Sequence, residues 1–164
     1  MRPRIVTIGV YGFSEEQFFG ALREAGVDTF CDVRARRGLR GSIYSFANSA
    51  HLQQRLGEMG IRYLHMKDLA PSGQVRSMQD SADITARVPK RKRLVLSDAF
   101  TRAYEEERLA AFDAPRFLEQ VGPEANTVCL FCVEGQPEAC HRSLLAGRLQ
   151  AELGLEVEHI RPPR

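Results

Sequence analysis

The sequence predicts a single α/β domain with a mostly parallel sheet of about five strands and helices on both faces, a Rossmann-like, doubly wound arrangement. Two observations predict this fold. Short apolar segments alternate with amphipathic ones, and the short segments are apolar throughout, as in strands buried on both faces. The 164 residues show no internal repeat and no change of composition at a boundary. We therefore expect one domain over residues 1–164.

The first half of the chain predicts three strands and two helices. The strands are "IVTIGV", "VDTFCDVRA" and "IRYLHM", which are short and largely apolar. In "GFSEEQFFGALREAG", Ser14 and Gln17 form a capping box and Gly26 ends the helix. In "FANSAHLQQRLGEMG", the helix is expected to be capped by Asn48 or Ser49 and to end at Gly60.

The second half begins with an irregular segment. Residues 70–93 are polar and too long for an ordinary connection, so we expect a long mobile loop or lid, or an excursion with weak local helix. A helical region follows, with a break near residues 113–115 where Pro115 suits a first turn. "NTVCLFCV" is the fourth strand, "CHRSLLAGRLQAELG" a helix, and the alternating "LEVEHI" an edge strand.

Composition narrows the partners and the compartment. The net charge of +2 is too small to imply a nucleic-acid partner. Nearly all basic residues are arginine, which suits two-pronged binding of phosphate or carboxylate. No apolar run approaches the ~20 residues of a membrane span, and the N-terminus lacks a signal-peptide cleavage site. We therefore expect a cytoplasmic protein with no membrane partner. Cys31 and Cys129 lie in apolar runs, so the cysteines are expected as reduced thiols.

Polar groups and glycines follow the first four predicted strands. Carboxyl ends of parallel strands meet at one edge of a sheet, where ligands of such folds bind. We therefore expect one shared pocket, with Asp32, Arg34, Glu134 and Arg142 around a single cleft. The candidate residues at these strand ends are Gly9, Tyr11, Asp32, Arg34, His65, Cys132, Glu134, Cys140, His141 and Arg142.

The loop "FCVEGQPEACHRS" carries the strongest signal. Cys140 is expected at the start of a helix that runs to about Leu153, where the helix amides, His141 and Arg142 would favour its thiolate. Cys140 or Cys132 is then the candidate nucleophile, and Cys140 should be alkylated faster than the core cysteines. The alternative is that Cys140 is only a small residue packed at a helix start.

The remaining candidates receive acid–base and binding roles. Glu134 or Asp32 would act as a base, and His141 as an acid or an orienting group. Arg34 and Arg142 would bind an anion with the helix N-terminus. Gly9 and Tyr11 are added as substrate-binding positions after the first strand, and His65 is expected to be a hydrogen-bonded buried histidine.

The same residues permit other interpretations. Asp32 and Arg34, two apart on a strand, could form a simple ion pair. A zinc site from Cys132, Glu134, Cys140 and His141 is conceivable, but structural zinc sites use paired, closely spaced ligands, so no metal and no cofactor are predicted.

Two further motifs fit poorly. In "CLFC", Cys129 and Cys132 are three residues apart on a strand and point to opposite faces, which argues against a redox pair or zinc knuckle. A phosphatase-type or sulfurtransferase-type loop after Cys132 needs an arginine where the chain has Glu138.

Taken together, these motifs resemble a known bacterial and archaeal family, domain of unknown function 488. "TIGVYG", "CDVRARRG", "GIRYLHMKDL" and "CLFCVEGQPEACHRS" occur in the family's order, and nearly the whole chain is covered. The most specific part is the Cys-x-Glu…Cys-His-Arg block, together with the Asp-Val-Arg motif at residues 32–34. The resemblance implies an α/β fold and a site at these residues, but no reaction.

Two functions follow as hypotheses. The first is an enzyme acting on an anionic, phosphorylated or nucleotide-like molecule in a pocket at the carboxyl edge. The alternative is a nucleic-acid-associated binding module that uses the loop "RARRGLRGS" and the cluster "KRKR", residues 90–93, which is ordinarily solvated surface. Under the first hypothesis, Arg34→Ala should weaken anion binding more than it lowers stability.

Overall fold

A computed structural model describes residues 2–164 and contains a five-stranded sheet in which all paired strands are parallel. The strands lie in the order β3-β2-β4-β1-β5. This architecture confirms the predicted α/β class with a parallel sheet. The strands are β1 (Arg4–Ile8), β2 (Thr29–Asp32), β3 (Arg62–His65), β4 (Thr127–Phe131) and β5 (Val157–His159).

Six α-helices connect or flank the strands within the described residues. A π-helical turn, Glu105–Leu109, directly follows the fourth helix and continues it. The helices are α1 (Glu15–Glu24), α2 (Ser49–Glu58), α3 (Gly73–Ala86), α4 (Asp98–Tyr104), α5 (Ala114–Val121) and α6 (His141–Leu153). None of them is long and apolar enough to cross a membrane.

Several local signals act as predicted. Ser14 and Gln17 form the complete capping box of α1. Asp113 caps α5, and Pro115 lies in its first turn, where the missing N–H costs nothing. β5 pairs only with β1 and is an edge strand. Asn48 is the N-cap of α2, although its side chain accepts a hydrogen bond from the Leu39 amide rather than from the helix.

The sheet is covered on both faces. Every residue of β2 and β4 is buried, and successive strand side chains point to opposite faces. Phe18 of α1 packs against Phe30 and Phe131, with ring centroids 6.5 and 5.6 Å apart. α6 packs against β1, β4 and β5. This two-sided burial explains why the central strands read as continuous apolar runs.

Residues 70–93 are more regular than predicted. Most of the segment forms α3, which is capped by Ser72 and ends at Arg87 in the left-handed conformation (φ 57°). Of the expected alternatives, the excursion with local helix is confirmed, whereas the long mobile loop is corrected to a helix followed by a shorter irregular stretch. Only Val75 and Gln79 of α3 are buried, so the helix has almost no apolar face. The sequence therefore carries little helical periodicity in this segment.

The strand order positions the site. β4 lies between β1 and β2, so the loop that follows β4 meets the loops that follow both neighbours. The amides of Val10 and Tyr11 donate to Val133 O at 2.9 and 3.0 Å. On the other side, the Val33 amide donates to Phe131 O at 3.0 Å. The predicted Cys-x-Glu loop is thus central at the carboxyl edge of the sheet.

Candidate active site

A cavity of about 440 Å³ lies at the carboxyl edge, between the loop after β2, the helix α3 with its following segment, and the loop after β4. Five of the predicted site residues line it together: Arg34, Cys132, Glu134, Cys140 and His141. Five others do not line it: Gly9, Tyr11, Asp32, His65 and Arg142. The single cleft expected around Asp32, Arg34, Glu134 and Arg142 therefore holds two of the four.

Gly9 and Arg142 shape the loop after β4 from outside the cavity. A Cβ on Gly9 would lie 1.7 Å from the carbonyl oxygen of Glu134, so only glycine permits this approach. The fully buried Arg142 guanidinium donates to the carbonyl oxygens of Glu134 and Gly135. Both residues hold the loop, whereas the sequence predicted them as substrate-binding positions.

Two cysteines and a histidine converge on the cavity. Cys140 is the extended N-cap residue of α6 (φ −139°, ψ 145°), and His141 is the first helical residue. This break in conformation turns two adjacent side chains the same way, with Cys140 Sγ 3.9 Å from His141 Nδ1. One ligand atom from each of Cys132, Cys140 and His141 lies within 4.8 Å of the other two, and all three residues are buried.

The surroundings of these three side chains shift their pKa values in different directions. Burial alone raises the pKa of Cys140, but a hydrogen bond from Cys132 and the charges of His141 and Arg142 outweigh it, so the pKa lies well below its ordinary value. That hydrogen bond, with burial, raises the pKa of Cys132. Burial lowers the pKa of His141, but the Cys140 thiolate outweighs this and the net shift is upward. Cys140 is therefore a stronger acid, and His141 a stronger base, than the same groups in water.

The core cysteines differ from this cluster, as expected. Burial raises the pKa of Cys31 to about 12. Burial likewise raises the pKa of Cys129 well above its ordinary value. Cys129 lies within the sheet while Cys132 reaches the cavity, which agrees with opposite orientations on the strand. The faster alkylation of Cys140 stays a prediction.

Arg34 is held in place by Asp32. Its Nε and Nη2 donate to the two carboxylate oxygens of Asp32 at 2.9 and 2.8 Å, and Tyr63 OH donates to the same carboxylate at 2.6 Å. The guanidinium carbon lies 4.7 Å from the centroid of the Phe131 ring. Nη1 of Arg34 is buried without a hydrogen-bond partner in residues 2–164. Asp32, proposed as a base, is instead the buried support of a cavity arginine.

Glu134 is paired through one oxygen only. Arg93 Nη2 donates to its Oε1 at 2.6 Å, and Lys90 Nζ lies 3.9 Å from the same oxygen. Its Oε2 is buried and unpaired within the described part of the chain. Burial, with the nearby Cys140 charge, raises the pKa of Glu134 despite Lys90 and Arg93. The carboxyl group is therefore shifted toward the range where proton transfer at neutral pH is efficient.

The segment after β3 supplies cavity residues that were not predicted. Arg76 and Lys90 line the cavity, as does Arg36 from the loop after β2. Arg93 lines it too, and is buried with hydrogen bonds to Asp83, Glu134 and Ala139 O. The cluster "KRKR" is therefore only partly solvated surface. The one feature of the sequence that could have indicated this cavity position is that the cluster lies at the end of the long polar segment.

Tyr11 and His65 have structural contacts. The Tyr11 ring packs against Tyr44 at 5.2 Å between centroids, and the Arg91 guanidinium lies 5.3 and 5.1 Å from the two ring centroids. His65 Nε2 lies 2.8 Å from Arg34 O, which confirms the predicted hydrogen bond, but His65 is half-buried rather than buried.

The comparison with protein-family models gives one finding. The model of the domain of unknown function DUF488 matches residues 14–149. No curated protein and no solved structure shows significant similarity to the chain. The matched range contains both the Asp-Val-Arg motif and the Cys-x-Glu…Cys-His-Arg block. Since it spans well over half of the residues, the chain belongs to the DUF488 family.

Proposed function

We propose that the chain is an enzyme that acts on a small anionic substrate, phosphorylated or nucleotide-like, in the cavity at the carboxyl edge. One observation carries the proposal: five cationic and two acidic side chains line the same cavity as a buried cluster of reactive groups. The cations are Arg34, Arg36, Arg76, Lys90 and Arg93, and the acids are Asp80 and Glu134.

The cations are arranged to receive an anion. Arg34 is fixed by Asp32, so binding costs it little side-chain entropy, and its free Nη1 supplies a donor. Arg36 and Arg76 form no ion pair with any residue from 2 to 164. Guanidinium groups bind phosphate and carboxylate through two parallel hydrogen bonds. An anion in the cavity would therefore meet donors from at least three arginines.

The chemistry would come from the groups beside these cations. Glu134 offers an unpaired buried carboxylate oxygen, which suits the transfer of a proton. Cys132, Cys140 and His141 offer two sulfurs and an imidazole in the same cavity wall. The contacts of Glu134 with Arg93 and Lys90 use only its Oε1 atom, which leaves Oε2 to face a bound substrate. This combination favours catalysis over binding alone.

A nucleic-acid-binding module is the second candidate. The Arg91 guanidinium stacks over Tyr11 and Tyr44, and aromatic rings beside basic groups are typical of single-strand binding. Arg36 and Arg40 are exposed in the loop after β2. The burial of Arg93 removes one of the four charges of "KRKR" from such a surface.

A binding experiment tests the anion site. Isothermal titration of inorganic phosphate and of nucleoside monophosphates should show saturable binding to the wild-type protein. Arg36→Ala and Arg76→Ala should each weaken it about tenfold, the effect of about 1.4 kcal/mol. Arg40→Ala, with the same charge change outside the cavity, should not. Equal weakening by Arg40→Ala would show that net charge, and not the cavity, binds the anion.

An activity experiment tests the enzyme. The protein is incubated with a mixture of nucleotides and sugar phosphates, and mass spectrometry follows which compounds are consumed. Glu134→Gln should abolish consumption of any substrate that the wild type converts. If nothing is consumed while single-stranded oligonucleotides bind with a steep salt dependence, the second candidate replaces the first.

A further inference from the structure

We propose that Cys132, Cys140 and His141 bind one Zn²⁺ ion through their two sulfurs and the Nδ1 atom of the imidazole, leaving a fourth position on the cavity side. Two thiolates and one imidazole form a donor set that zinc favours. All three residues line the cavity, so a fourth ligand would come from there. The inference does not rest on the proposed substrate.

The distances fit a tetrahedral site. With Zn–S near 2.3 Å and Zn–N near 2.0–2.1 Å, tetrahedral angles place a sulfur and a nitrogen roughly 3.6 Å apart and two sulfurs roughly 3.8 Å apart. Cys140 Sγ and His141 Nδ1 are 3.9 Å apart. The three ligand atoms all lie within 4.8 Å of one another. Shifts of a few tenths of an ångström to about 1 Å would therefore complete the site.

The histidine is oriented for this role. Its Nε2 lies 3.1 Å from the carbonyl oxygen of Val33. A carbonyl oxygen only accepts, so Nε2 carries the hydrogen and Nδ1 is the atom left to face Cys140. Metal-binding histidines are held in the same way, by a hydrogen bond from the other ring nitrogen to a carbonyl or carboxylate.

The neighbouring carboxylate supports an open position. Glu134 lies beside Cys140, and its Oε2 has no hydrogen-bond partner in the described chain. Zinc sites with three protein ligands keep a water or substrate in the fourth position, whereas structural sites close with four. Glu134 Oε2 would accept a hydrogen bond from such a water. The chain spacing argued against a zinc motif because it cannot show that the loop folds back on itself.

Metal loading of the wild-type protein is the first test. Protein stripped by a chelator and dialysed should take up one equivalent of Zn²⁺ and unfold at a higher temperature. X-ray absorption should show two sulfur ligands and at least one nitrogen ligand. Loading with Co²⁺ should give the thiolate charge-transfer band and the visible bands of tetrahedral cobalt. None of these measurements needs an assay of activity.

Matched variants assign the ligands. Cys132→Ser, Cys140→Ser and His141→Ala should each weaken Zn²⁺ binding by at least about 100-fold, more than the loss of an outer hydrogen-bond partner usually does. Cys31→Ala and Cys129→Ala remove thiols of the core and should leave the affinity unchanged. Circular dichroism of each stripped variant separates lost binding from lost folding.

Three results would overturn the proposal: no stoichiometric Zn²⁺ uptake, uptake unaffected by the three ligand substitutions, or a Cys132–Cys140 disulfide in protein isolated under reducing conditions. The outcome is independent of the anion experiment. Loss of phosphate binding in Arg36→Ala with Zn²⁺ uptake intact would support both sites separately. Phosphate binding without any Zn²⁺ uptake would remove the metal alone.

Discussion

Three buried arginines surround the candidate site, and each has a different set of partners. Arg142 binds backbone carbonyl oxygens, Arg93 binds two carboxylates and a carbonyl, and Arg34 binds one carboxylate. A buried guanidinium must satisfy its donors inside the protein or with a ligand. Arg34 lines the cavity and keeps Nη1 unpaired among the described residues, so it is the buried arginine most suited to a ligand.

The Asp32–Arg34 pair changes the expected effect of removing the arginine. Arg34→Ala would leave the Asp32 carboxylate buried without a counter-charge, which costs about 3–5 kcal/mol. Both stability and anion binding should therefore fall, whereas the sequence alone predicted mainly a loss of binding. Urea unfolding should show that Asp32→Asn combined with Arg34→Ala costs less than the sum of the single variants. Strict additivity would mean that the two side chains do not stabilise each other.

Gly9→Ala tests the close approach of β1 to the loop after β4. The added Cβ would overlap the Glu134 carbonyl, so the backbone must move, at a cost of about 3 kcal/mol or more. Gly20→Ala is the control, because that position lies in α1 with no atom within 4 Å of the added Cβ. It should gain up to about 1 kcal/mol of helix stability. Wild-type stability of Gly9→Ala in chemical unfolding would refute the predicted overlap.

At the scale of elements, α3 is anchored at its first turn. The Glu107 carboxylate accepts hydrogen bonds from the Ser72 amide at 2.9 Å and the Ser72 hydroxyl at 2.6 Å. Ser72 Oγ in turn accepts from the Val75 amide at 3.2 Å. The helix carries four cavity residues, Gly73, Arg76, Gln79 and Asp80, so this anchor positions part of the candidate site.

The anchor should be sensitive to acid. Burial raises the pKa of Glu107, but the hydrogen bonds from Ser72 and the charge of Arg108 outweigh it and lower the pKa below its ordinary value near 4.5. A depressed carboxyl pKa contributes stability above the ordinary pKa, and this contribution is lost as the pH falls through the folded pKa. Glu107→Gln should therefore cost about 1 kcal/mol at neutral pH and progressively less below about pH 4.

Unfolding free energies of Glu107→Gln and wild type between pH 3 and 7 check this expectation. Glu106→Gln is the matched control, because the neighbouring side chain is exposed and has no ion pair in the described residues. It should follow the wild type throughout. A constant difference between Glu107→Gln and wild type down to pH 3 would refute the proposed linkage.

At the scale of the whole molecule, one aromatic cluster joins the sheet to the first helix and to the loop after β2. Phe18 contacts Phe19 and Phe46, with ring centroids 5.1 and 5.6 Å apart, and two strand phenylalanines. The same sheet face carries Phe131, over which the Arg34 guanidinium lies. The core and the candidate site therefore share a side chain.

Phe18→Ala should remove the centre of this cluster. A fully buried phenylalanine is expected to cost about 3–5 kcal/mol on truncation to alanine. Phe112→Ala, at a half-buried position against Phe117, should cost less than half as much. Thermal and urea unfolding measure both changes. Similar losses in the two variants would mean that the cluster has no special place in the core.

Several features could be predicted from neighbouring residues alone. The capping box of Ser14 and Gln17, the break before Pro115 and the start of α6 at Cys140 depend on interactions within one or two helical turns. The parallel sheet follows from runs that are apolar at every position. α3 was only weakly indicated, since an element without an apolar face has no periodic signal.

The sequence by itself determined which chemical groups follow each strand, because the end of each apolar run can be read directly from the residues. Ligands of parallel sheets bind beyond these strand ends. Only the tertiary structure decided which of those groups share a cavity. Asp32 forms an ion pair with Arg34 and does not line the cavity. The Arg142 guanidinium donates hydrogen bonds to backbone carbonyl oxygens instead of facing the cavity. Arg93 donates a hydrogen bond to Glu134, 41 residues away, because α3 and its following segment fold over the end of β4. Such proximities depend on strand order and long-range packing, which local sequence patterns do not encode.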